Sequence, residues 1–174
     1  MLIELLNFSK MPVGALEEAE MVGKVHRLAV DPGEQKLIGF TVKTGGYFSK
    51  AYSVSMSDVV DVDKNGVVIN SRDSMLQNDE IVRMSDILKK KFSIFGLKVL
   101  SKSGEKIGKV EDVVIDTNTG DIVRIYTTAF TKRRVFERSQ IEKMTFLEII
   151  VKQDREKIKV SNTKTMPAVE SEVA

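Results

Sequence analysis

GKVHRLAVD at residues 23–31 returns as GKVEDVVID at residues 108–116, and that repetition decides the fold. Sliding the chain against itself by 85 positions aligns Glu20 with Glu105, Gly23-Lys24-Val25 with Gly108-Lys109-Val110, and Asp31 with Asp116. The same shift pairs Leu37-Ile38 with Ile122-Val123 and Phe40 with Ile125. Past TGGYFSK, residues 44–50, the offset falls to 82. Val54 then meets Phe136, Val59 meets Ile141, and Val67-Val68-Ile69 meets Ile149-Ile150-Val151. Gly45-Gly46 marks a hairpin end, where a length change is tolerated. Apolar-for-apolar replacement at a fixed spacing is the mark of a duplicated structural unit.

The signals inside each copy are β. VHRLAV and VEDVVI are short runs rich in β-branched residues, closed by the turns DPGEQK and DTNTGD. Asp31 and Asp116 open these turns, where an Asp carboxylate accepts backbone N–H groups two residues on. Ile38, Phe40 and Val42 alternate with Gly39 and Thr41, as on a strand with one buried face. Gly23 and Gly108 recur just before Lys-Val, where no periodicity demands them. Each is expected to have a positive φ or to lie against a neighbouring backbone.

Between the copies, residues 74–92 place Ile81, Met84 and Leu88 on one helical face. Asp79 and Glu80 stand at the start of this stretch and Lys89-Lys90-Lys91 at its end, matching the helix dipole, with Asn78 as N-cap. The expected organisation is a β unit over 1–73, a single helical linker of about three turns over 74–92, a second β unit over 93–154 and a flexible tail over 155–174. Many short strands with tight turns point to a mainly all-β chain of two small tandem barrels.

Composition narrows the function classes. The charge is +2, from 27 Lys and Arg against 25 Asp and Glu, far from the basic excess usual in nucleic-acid binders. Cys is absent, which removes disulfides, thiol nucleophiles and thiolate metal sites. The opening MLIELLNFSK does not read as a signal peptide, and no apolar run is long enough to span a bilayer. A soluble, cytoplasmic protein is expected.

GKVEDVVIDTNTGDIVRIYT resembles the signature of the PRC-barrel domain, and GKVHRLAVDPGEQKLIGFTV is a looser version of it. The resemblance covers roughly residues 10–71 and 94–153 and implies two six-stranded β-barrels in tandem. It also implies docking onto another macromolecule rather than turnover of a substrate, in a protein of bacterial or archaeal type. Family members include a ribosome maturation factor, the cytoplasmic part of a photosynthetic reaction-centre subunit and archaeal cell-division proteins. No further N-terminal domain and no transmembrane helix is read ahead of either copy, so the first two roles are not carried over.

The inventory for chemistry is thin. His26 is the one histidine and is read as an exposed strand residue, so histidine-based triads and multi-histidine metal sites are ruled out. Asp58, Asp61 and Asp63 before Asn65-Gly66 resemble a calcium loop but lack its ligand order and closing Glu, and a hairpin turn is the better reading. No catalytic, cofactor-binding or metal-ligating set is expected. The candidate contact surface is the second copy's hairpin, residues 126–138: Tyr126, Phe130, Lys132, Arg133, Arg134 and Phe136. Where the first copy has TVKTGGYFSKAYSV, the second has YTTAFTKRRVF, shorter by three residues and more basic. An aromatic among arginines is a combination favoured at interface hot spots. The leading reading is a non-enzymatic protein-binding adaptor or scaffold. The alternative is an RNA- or ribosome-associated factor using the basic hairpin, and a small-ligand carrier or enzyme ranks last.

Overall fold

The computed structural model describes residues 1–45, 49–77 and 80–152. Gly46, Asn78, Asp79 and the expected tail lie outside the described residues. Strand outweighs helix, 53% against 14%, so the chain is mainly β.

The chain opens with a short strand, β1 (Leu2–Glu4), and one helical turn, α1 (Leu5–Phe8). The first unit then runs β2 (Pro12–Ala15), β3 (Glu20–Asp31), β4 (Lys36–Lys43), β5 (Ala51–Ser55), β6 (Val59–Val62) and β7 (Val67–Ile69). A helix, α2 (Val82–Lys89), leads to the second unit. That unit runs β8 (Lys98–Ser101), β9 (Lys106–Asp116), β10 (Ile122–Ala129), β11 (Lys132–Glu137), β12 (Ile141–Met144) and β13 (Glu148–Val151).

The two units share one topology. The first is ordered β5-β4-β3-β2-β7-β6 and the second β11-β10-β9-β8-β13-β12, with β2 parallel to β7 and β8 parallel to β13. Both offsets survive in the register. Phe40 faces Val54 as Ile125 faces Phe136, and Val25 faces Val42 as Val110 faces Thr127. The sheets must be rolled. β5 and β6 end opposite edges of the order, yet only the 3-10 turn Met56–Asp58 joins them. A flat six-stranded sheet would hold those edges about 24 Å apart, beyond the roughly 14 Å that such a link can reach. The turn Arg138–Gln140 imposes the same curl between β11 and β12. Among the described residues no ladder joins β5 to β6 or β11 to β12, so each seam is bridged by its turn rather than by strand pairing.

The glycines mark a close approach that both copies share. A Cβ on Gly23 would lie 2.5 Å from the Lys43 carbonyl oxygen, and one on Gly108 would lie 2.6 Å from that of Thr128. Lys43 and Thr128 are themselves repeat equivalents.

Three features differ from the sequence-based expectation or go beyond it. The linker is not one three-turn helix. Leu76 exchanges both backbone hydrogen bonds with Ser53 on the open edge of β5, at 2.8 and 2.9 Å, which takes it out of any helix. Among the described residues of this stretch the α-helix is Val82–Lys89, and it buries Met84, Ile87 and Leu88 against Ala29 of β3. Second, β1 pairs with β9 of the second unit, although it precedes the first. β8 meets β9 only over Lys106–Lys109, which leaves the edge at Val114–Asp116 vacant for β1.

Third, the units meet through equivalent residues. Leu37 N–H donates to the Gly120 carbonyl at 2.8 Å, and Ile122 N–H donates to the Gln35 carbonyl at 3.0 Å. Lys36 bridges Asp121 between them, and the offset of 85 maps each bond onto the other. The contact is therefore isologous in form, like that of a two-fold dimer, within one chain. Apolar side chains from both units form one continuous core cluster.

Candidate docking hairpin

β10 and β11 pair from Arg124–Glu137 to Ala129–Lys132, leaving Phe130-Thr131 as a two-residue turn. The base of the hairpin is anchored. Arg138 reaches Asp121 at 2.9 Å and the Glu34 carbonyl of the first unit at 3.3 Å. Hydrogen bonding to Thr119 and then to Arg138 holds the Asp121 carboxyl below the usual carboxylate range. The tip is free. Phe130 is fully exposed, at 106%, and its φ of 54° is a conformation in which glycine or asparagine would be less strained.

The structure sorts the six hairpin residues unequally. Lys132 is exposed beside the tip, and Arg134 is half-buried with no carboxylate partner among the described residues. Arg133 is exposed but engaged: it bonds Glu111 at 2.9 Å and lies 4.8 Å over the half-buried Tyr126 ring. Phe136 must be removed from the set. It alternates inward on β11, is wholly buried in the core and cannot reach a partner.

Strand register adds residues that sequence reading missed. Lys98 faces Lys109, Lys109 faces Thr128, and Thr128 faces Arg133. These four exposed residues form one row across four strands, about 14 Å long at normal strand spacing. The Lys of the Gly-Lys-Val motif was visible in the sequence, but its neighbours on other strands were not. Val135, 46% exposed, adds an apolar residue on the same outward face as Arg133.

The other singled-out residues hold local structure. Asp116 accepts Asn118 N–H at 3.0 Å. Asp63 accepts from Asn65 and Gly66, which closes the β6–β7 turn, and Asp61 turns to the Val62 N–H. His26 is exposed on β3. Among the described residues no three His, Asp or Glu converge as a metal site would require.

Asp31 accepts Gly33 N–H at 2.8 Å and Glu34 N–H at 3.1 Å, and binds Arg83 of α2 at 2.7 Å. Partial burial pushes its carboxyl up, but the Glu34 and Arg83 bonds outweigh this and leave it below the usual range. A carboxylate with a depressed pKa stabilises the fold above its unfolded value, near 3.9, and that stability is lost as pH falls. Asp31→Asn is therefore expected to cost about 1 kcal/mol at neutral pH. Thermal melts at pH 7 and pH 3 check this: the gap between wild type and variant should narrow at the lower pH. A gap that persists unchanged would mean that the charge is not involved.

Among the described residues no helix is long and apolar enough to cross a membrane. A comparison with curated proteins found no match. The model of the PRC-barrel domain family matches residues 7–76 and again residues 90–164, in step with the two units of the fold. The chain belongs to the PRC-barrel domain family and carries two copies of the domain in tandem.

Proposed function

We propose that this protein is a non-catalytic docking module whose contact surface is the β10–β11 hairpin of the second domain. PRC-barrel domains often serve as protein-interaction modules and are generally non-catalytic. The observation that carries the reading is Phe130. A large aromatic side chain stands wholly exposed on a strained turn at the tip of an anchored hairpin, with the cations Lys132 and Arg134 on the strand that follows it. Strain at a sparsely populated backbone conformation concentrates at functional positions, and Phe with Arg is a combination typical of binding anchors.

The test is the variant carrying Lys132→Ser, Arg133→Ser and Arg134→Ser. Its melting temperature should stay within a few degrees of wild type, because exposed ion pairs such as Arg133–Glu111 contribute about 0–1 kcal/mol. Recovery of the main partner in an affinity pull-down from the native organism should be lost. Retention at wild-type level would place the binding surface elsewhere.

A second reading, association with RNA or a ribosome, has the row Lys98–Lys109–Thr128–Arg133 in its favour. Salt separates the two. Phosphate binding weakens steeply as counterions compete, whereas an apolar protein contact barely responds.

A further inference from the structure

A second surface lies where the first unit meets the segment leading into the second. β3, α1 and the segment following α2 enclose a cleft of about 670 Å³. That volume is within the range of small-molecule sites rather than of extended interfaces. Its polar lining includes Lys10, His26, Arg27 and Lys91, and no carboxylate residue lines it. Leu28, Phe92 and Phe95, all half-buried, supply apolar surface.

Among the described residues Arg27 differs from most of the chain's arginines. Arg72, Arg83, Arg124, Arg133 and Arg138 each pair with a carboxylate. Among the described residues Lys10, Arg27 and Lys91 pair with none. Arg27 is held by donating to the Leu88 carbonyl at the end of α2, at 2.7 Å, which occupies one of its five N–H groups. Lys91 takes the left-handed position that follows a helix, φ 52°, where glycine is usual. Cations gathered in one concave site repel one another when it is empty, and an anion relieves that repulsion.

We propose that this cleft binds a small organic anion with an aromatic body. The acid group is held by Arg27, Lys10 and Lys91, and the ring packs on Phe92 and Phe95. Phosphate and carboxylate satisfy the same cations, so the test carries both. The full chain is titrated with a fluorescent ADP analogue, with naphthalene dicarboxylate and with inorganic phosphate. Saturable binding of one aromatic anion, at least about tenfold tighter than inorganic phosphate, is expected, and the tighter of the two names the acid group.

The double variant Lys10→Gln, Lys91→Gln should weaken that binding about tenfold. Both side chains are exposed and, among the described residues, in no ion pair, so the fold should survive, as a circular-dichroism melt would show. Phe92→Ala should weaken the aromatic anions and leave inorganic phosphate unchanged. The hairpin variant at Lys132, Arg133 and Arg134 should bind as wild type does. The proposal is overturned if neither aromatic anion saturates, if the double variant binds equally well, or if the hairpin variant loses binding to the same extent.

Discussion

Phe8→Ala is expected to cost about 3–5 kcal/mol, the usual loss for an aromatic removed from a packed core. Phe8 has no exposure, and its ring meets that of Phe40 edge-on at 5.3 Å. The side chain sits in α1, a single turn too short to be stable alone, so tertiary contacts hold it in place. The residues just before it in the chain tie the segment to the second domain. β1 pairs with β9, and Leu6 N–H donates to Asp112 at 3.2 Å. A cavity at Phe8 should therefore lower the stability of both domains together. Denaturant melts, combined with hydrogen exchange resolved by domain, check this. A loss below about 1 kcal/mol, or lost protection confined to the first domain, would show that α1 does not couple the two.

Gly23→Ala and Gly108→Ala should each destabilise by about 1–3 kcal/mol, the range for forcing extra volume into a packed site. The added methyl would meet a carbonyl oxygen at 2.5 Å in the first case and 2.6 Å in the second, so the β3–β4 or β9–β10 ladder must open. Gly45 is the control, because a Cβ there meets nothing within 4 Å. Gly45→Ala should stay within about 0.5 kcal/mol of wild type. If all three variants shift the denaturation midpoint equally, the close approach is not the cause.

These glycines show how much was legible in advance. A residue repeated where no period requires it pointed to a backbone constraint, although only the register identifies Lys43 and Thr128 as the atoms in the way. The hairpin was legible in the same partial sense. Its basic, shortened turn stood out by comparison with the first copy, but Phe136 was miscounted as surface. One strand read alone does not say which alternate residues face in.

The duplication, the strands, the turn aspartates and the hairpin end were determined by the sequence itself, because each depends on residues near in the chain and on a period of two. The tertiary structure alone decided the rest. It sent β1 across to the vacant edge of β9, cut the linker helix to Val82–Lys89, and joined the domains through Lys36 and Asp121. It also drew Lys98, Lys109 and Arg133 into one row and gathered the cations of the β3 cleft. Each of these outcomes depends on which edges and faces remain unfilled once the sheets have rolled, and residues distant in the chain settle that together.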